Sequence, residues 1–195
     1  MDSFLFCLIL VALIALGGRE QLLVAQLSDA LADRSGAQVS RPLPLLALGW
    51  ASAAATAGLM TYAALAIAGL MPARAAWMLV ALAFAIAALE LAWAVQVKPF
   101  AEPTRSLGAI GLVLVWRQLG DAARFVIFAF AVEATIPITA LLGGALGGGA
   151  AVTLGWALGE RRLSRWPLRW IRMTFAFALI VAAIFIGLSA RYPQV

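Results

Sequence analysis

Leu16-Gly17-Gly18-Arg19-Glu20-Gln21 lies in the middle of an otherwise apolar stretch, residues 4–27. A second apolar stretch, residues 107–132, is interrupted in the same way by Arg117-Gln118-Leu119-Gly120-Asp121-Ala122-Ala123-Arg124. An ionisable side chain at the centre of a bilayer costs at least ~2.5–3.5 kcal/mol on insertion scales, so it is seldom kept there without a partner or a task. The same Leu-Gly step stands in both stretches, which points to a duplicated unit with its polar centre at the junction of the copies.

The composition fits this placement. Of 195 residues, 65% are apolar and only 12% charged, and the mean hydropathy is +1.01. A water-soluble domain of this length needs far more charge to cover its surface. The chain therefore reads as an all-α polytopic membrane protein. Its basic character, with a pI near 10.7, does not require nucleic acid, because the arginines stand in short segments beside apolar runs, where membrane topology places them. Cys7 is alone and histidine is absent, which excludes a disulfide framework, zinc-type sites and histidine proton relays. No resident cofactor is expected. The start, Met1-Asp2-Ser3, lacks a basic leader, so a retained first helix is expected rather than a cleaved signal.

Breaker residues divide the apolar sequence into six expected spans: residues 3–27, 43–70, 73–97, 107–131, 137–159 and 168–190. The segments after the first, third and fifth spans carry Arg34, Arg41, Lys98, Arg105, Arg161, Arg162, Arg165, Arg169 and Arg172, and the opposite side only Arg74 and Arg191. That asymmetry predicts the first group in the cytoplasm and both termini outside, with a bacterial inner membrane as the expected home. Trp166 and Trp170 would anchor the last span at the interface. Gly17 aligns with Gly120 at an offset of 103, and Pro72 with Pro167 at an offset of 95. The expected organisation is a repeat over residues 1–97, a cytoplasmic linker over 98–106, and a second repeat over 107–195. Three spans per repeat force the second to run in the opposite sense, the 3+3 inverted plan of many secondary transporters. In the fifth span Gly143/Gly147, Gly144/Gly148 and Gly155/Gly159 allow close helix approach, with packing inside the monomer favoured over a dimer seam.

Ala15-Leu16-Gly17-Gly18-Arg19-Glu20-Gln21 and Gln118-Leu119-Gly120-Asp121-Ala122-Ala123-Arg124 resemble the paired Glu-x-Gly-Asp-(Lys/Arg)-(Thr/Ser) motifs of the Gdt-type manganese/calcium exchangers, relatives of the lysine-exporter superfamily. Arg41-Pro42-Leu43-Pro44, Pro72 and the basic run 161–172 extend the likeness along nearly the whole chain. The resemblance implies exchange of Mn or Ca against protons, with motif carboxylates as ligands and proton carriers. Of the four acidic motif positions this chain holds Ala15, Gly18, Gln118 and Asp121, so one acid remains. Asp121 is then the expected principal carboxylate and metal contact, Gln21 and Gln118 neutral oxygen donors, Arg19 a charge balancer, and Gly17, Gly18 and Gly120 the helix-break glycines.

The charge count weighs against a dication. Glu20, Glu90 and Asp121 are matched by Arg19, Arg117 and Arg124. At an effective dielectric near 20, a unit pair at about 4 Å is worth ~4 kcal/mol, and a dication facing one arginine loses about twice that. Arg117 and Asp121 are four residues apart and Asp121 and Arg124 three, so all three are expected to share one helix face with Gln118. Three outcomes stay open: an intramembrane salt-bridge cluster joining Glu20 or Glu90, a site for a small carboxylate or other anion, and residual cation transport. The partners expected are the bilayer and a small ion or solute. No Ser–His pair, HExxH motif or catalytic carboxylate pair can be assembled, so an enzyme is not expected.

Overall fold

The computed structural model describes residues 2–32, 41–93 and 106–192, and all of the regular structure there is helical. The eight helices are α1 (Asp2–Ile14), α2 (Arg19–Leu31), α3 (Leu43–Ala68), α4 (Ala73–Ala92), α5 (Leu107–Leu119), α6 (Ala122–Glu133), α7 (Pro137–Leu163) and α8 (Leu168–Arg191). Four of them, α3, α4, α7 and α8, are long and apolar enough to cross a membrane. A fifth crossing is available if α1 and α2, bent by 61° at their junction, act as one broken span. This is an integral membrane protein. The expected first span is therefore two helices, and the expected fourth is also two, α5 and α6. The end of the expected third span and the linker at 98–105, with Arg34, Lys98 and Arg105, lie outside the described residues.

α7 organises the bundle. Its glycines bring other backbones into near contact, because a Cβ at Gly143 would lie 2.6 Å from the Phe4 carbonyl oxygen, and one at Gly147 equally close to that of Leu8. A Cβ at Gly144 would strike Ile127 of α6 at 2.5 Å, and one at Gly155 would strike the Gln21 carbonyl of α2 at 2.7 Å. The glycine pattern thus serves packing within the monomer, as expected, and small residues are what permit it. α3 packs on α7 and α4 on α8; α1 and α2 lie on α7, while α5 and α6 lie on α3. The apolar core runs between α1, α4, α6 and α8, with a smaller cluster between α2, α3, α5 and α7. Large side chains such as Leu112, Trp116, Phe177 and Phe185 point outward, as a lipid-facing surface requires.

α7 does not end at Gly159. It kinks there, with φ +70° in the left-handed region, and continues to Leu163. Asp29, at the end of α2, stabilises the kink by accepting the Glu160 N–H at 2.8 Å, and it pairs with Arg41 at 3.9 Å. Arg41 also donates to the Trp156 carbonyl. Asp29 thereby ties the end of α2 to the kink of α7. Gly159→Ala would force a side chain into the left-handed region and drive its Cβ against the Asp29 carboxylate. We expect Gly159→Ala to cost about 1–3 kcal/mol, measurable as a lowered melting temperature in detergent, whereas Gly58→Ala, inside α3 and with its nearest neighbour 4.0 Å away, should not lower it.

Candidate functional site

The first break is built around Gly17, whose φ of +70° suits glycine alone. The Gly18 N–H returns to the Ala15 carbonyl at 3.0 Å, and α2 then starts afresh at Arg19. Gln21 holds this turn: its side-chain oxygen accepts the Gly17 N–H at 2.7 Å, and its amide donates to the Ala151 carbonyl of α7 at 3.0 Å. Both ends of Gln21 are thereby committed to the fold, so the expected oxygen donor is a structural strut.

The second break has a different cause. Gly120 has φ −95°, and a Cβ there would meet nothing within 4 Å. Glycine is thus not demanded at Gly120, contrary to its expected role. Asp121 instead takes the extended N-cap conformation of α6 without capping it by its own side chain. The Ala122 N–H at this helix start finds the Glu90 carboxylate of α4 at 3.3 Å. A carboxylate at a helix N-terminus is favoured by the exposed N–H groups and the helix dipole.

The two breaks face each other. A Cβ on Gly18 would lie 3.5 Å from Asp121 Oδ1. Around this seam stand three acids and three arginines, but not the expected set. Arg124 and Glu20 form an ion pair at 3.2 Å in which both side chains are fully buried. Arg172 of α8 pairs with Glu90 at 3.1 Å and donates to the Glu90 backbone carbonyl at 3.2 Å. Arg19 approaches the other Glu90 oxygen at 3.7 Å from a half-exposed position. The neutral balance inferred from sequence therefore holds with Arg172 in place of Arg117. Arg117 forms no ion pair among the described residues, since the break at Gly120 takes it out of phase with Asp121 and Arg124. A shared face requires an unbroken helix.

Asp121 differs from its neighbours. It is buried, its two carboxylate oxygens have no hydrogen-bond partner, and Glu20, Glu90, Arg124 and Arg172 all lie within Coulombic range. Gln118 accepts from Thr56 at 2.8 Å and donates to Ser52 at 3.0 Å, both on α3. Both of its polar ends are thus occupied, like those of Gln21. Among the described residues no group of three or more His, Cys, Asp or Glu side chains is placed to hold a metal ion.

Sequence reasoning missed Arg172, taking it for a topogenic charge with Arg161, Arg162, Arg165 and Arg169. A signal was present: Arg172 shares the buried stripe of α8 with Ala176, Leu179 and Ala183, the spacing of one helix face. It also missed Ser52 and Thr56, whose hydroxyls meet Gln118.

Beside the seam lies a pocket of about 240 Å³, bounded by Gly17 and Leu22 near the first break, Leu91 to Trp93 at the end of α4, and Leu168 to Met173 at the start of α8. A second pocket, about 200 Å³, lies between the start of α4 at Ala73 and Trp77 and the end of α6 at Val132 and Glu133. Comparison with protein-family models, curated proteins and solved structures finds no match for this chain.

Proposed function

We propose that the chain is a secondary transporter of Gdt-type ancestry, a six-span 3+3 inverted repeat that moves a small solute in exchange for protons at the seam between its two broken spans. The supporting observation is the exchange relation between the halves. If α1–α4 are replaced by α5–α8 and the reverse, the packing of α1 on α7 becomes that of α5 on α3, and α2 on α7 becomes α6 on α3, while α3–α7 and α4–α8 map onto themselves; the packing of α6 on α4 has no comparable α2–α8 counterpart among the described residues. The two pockets share one wall in the same sense, since Ala73 and Trp77 correspond to Leu168 and Arg172 at an offset of 95, while their other walls differ. Broken helices meeting at the repeat interface are where such proteins place solute and coupling ion. The arginine distribution supports a topology with both termini outside the cytoplasm.

Within this reading Asp121 carries the coupling proton, because it is the acid of the cluster whose oxygens are both unengaged. A divalent cation is the less favoured solute. Glu20 and Glu90 are held by guanidinium groups that do not deprotonate, leaving one free carboxylate where Mn and Ca prefer several hard oxygen ligands.

The test is proton flux into proteoliposomes, followed with an internal pH dye while Mn, Ca and small carboxylate solutes are presented in turn. Flux driven by at least one solute is expected, with Asp121→Asn abolishing it and leaving the melting temperature within a few degrees. Folded protein silent toward every solute would sink the transport reading. That result would favour a second one, a non-transporting membrane protein, for which the dry Glu20–Arg124 pair is the specific support.

A further inference from the structure

We propose that the pocket beside the first break is an oxyanion site, with Arg172 at its floor and Arg169 at its mouth. The inference deepens the transport reading by naming a solute class, but the site itself stands on four independent features. First, Arg172 is nine-tenths buried and lines the pocket, yet its Nη1 has no hydrogen-bond partner, while its Nη2 is committed to Glu90. A buried guanidinium donor without an acceptor is costly; Nη1 is closed to solvent in this structure, so an oxyanion in the pocket supplies the acceptor after a rotation of the guanidinium. Second, Arg169 lines the same pocket one helical turn earlier, so the two side chains rise from one face of α8. Third, no acidic residue stands among the described residues that bound the pocket, and the remaining wall is apolar: Leu22, Leu91, Trp93, Leu168 and Met173. Such walls lower the local dielectric and strengthen a charge-assisted contact. Fourth, Leu168 and Arg169 form the first turn of a 24-residue helix, whose positive dipole end adds to the attraction.

Charge accounts for the sign. Glu90 is shared by two arginines, Arg172 and Arg19, so this trio carries one surplus positive charge. Asp121, which offsets it within the whole cluster, faces Gly18 and does not line the pocket. The pocket at the start of α4 has no such character: Trp77 stands where Arg172 would be, and Glu133 lines its wall. Anion recognition therefore belongs to one half alone. A volume of about 240 Å³ equals about eight waters at their liquid share. That admits a small carboxylate or phosphate, or the headgroup phosphate of an anionic lipid.

The experiment is a thermal-shift titration of the full chain in neutral detergent. Sodium acetate, malonate and phosphate are each compared with sodium chloride at matched ionic strength, and a separate arm compares phosphatidylglycerol with phosphatidylcholine. At least one oxyanion should raise the melting temperature with a saturating dose response. Arg169→Gln, an exposed position that leaves the Glu90 pair intact, should weaken the apparent affinity about tenfold, the worth of one charge-assisted hydrogen bond. Arg172→Lys keeps the charge but loses the fork, and should weaken it similarly. Arg191→Gln, on a distant turn of α8, should not. A response to soluble oxyanions identifies a solute site, and a response to phosphatidylglycerol alone identifies a headgroup site; either upholds the inference if Arg169→Gln diminishes it. No stabilisation beyond chloride in either arm, or a response untouched by Arg169→Gln, overturns it. Binding requires no turnover, so loss of flux with binding intact would count against the transport reading alone.

Discussion

Arg124→Leu is expected to destabilise the protein more than any other single change to its charges, and Glu20→Leu nearly as much, while the double change recovers most of the loss. The pair is fully buried, at 3.2 Å, and each member has atoms with no other partner: Glu20 Oε1, and Arg124 Nε and Nη1. Arg124 lies against the glycine face of α7, where a Cβ on Gly148 would come within 3.2 Å of Nη1. Removing one partner strands the other charge without water, which costs ~3–5 kcal/mol, whereas replacing both by apolar groups is often neutral or stabilising. At about 2–4 °C per kcal/mol for a chain of this size, each single variant should melt on the order of ten degrees lower. Arg117→Leu is the control. Having no ion pair among the described residues, it should shift the melting temperature by no more than a degree or two. Singles that simply add in the double variant would show that the two charges are not coupled. A double variant that is stable yet loses flux would show that the pair does more than maintain the fold.

Much of this arrangement was legible in the residues, and the part that was not has a common physical origin. The first break was readable because Gly17-Gly18-Arg19-Glu20 places two flexible residues and two charges inside an apolar run. The close seating of α7 was readable from glycines spaced by four. Pairings across the bundle were not, because they depend on which helix lies beside which. Glu90 could be assigned a guanidinium partner by charge alone, but nothing local said that Arg172, eighty-two positions along the chain, supplies the shorter contact. The face shared by Arg117, Asp121 and Arg124 failed for a related reason: a break resets helical phase, so spacing arguments do not carry across it. Gln21 and Gln118 look like free oxygen donors in the sequence, and only contacts reveal that a turn, α7 and α3 already occupy them. The family resemblance extends to this seam as an expectation, and the flux measurement bears on it more directly than any further pattern.

Gly147→Val should be the most damaging single substitution among the glycines. A Cβ at this position would lie 2.6 Å from the Leu8 carbonyl oxygen and 3.0 Å from the Ala12 N–H nitrogen. Both obstacles are backbone, so no rotamer change relieves them and α1 must move off α7 as a body. Overpacking of a well-packed site costs about 1–3 kcal/mol, and a β-branched side chain at a backbone–backbone contact belongs at or above the upper end. Gly120→Ala provides the opposite expectation. Its φ is negative and the space around it is open, so reduced freedom of the unfolded chain should raise stability by ~0.4–1 kcal/mol. Melting in detergent resolves the two. Equal destabilisation would mean that the second break needs glycine for a reason other than backbone angle or space. The functional consequence follows from connectivity. α1 ends at the Gly17 turn, Gln21 ties that turn to Ala151 of α7, and Gly17 lies against Leu168 and Arg172. Displacing α1 therefore shifts one wall of the arginine-lined pocket, and Gly147→Val should weaken any oxyanion response even where the folded protein survives.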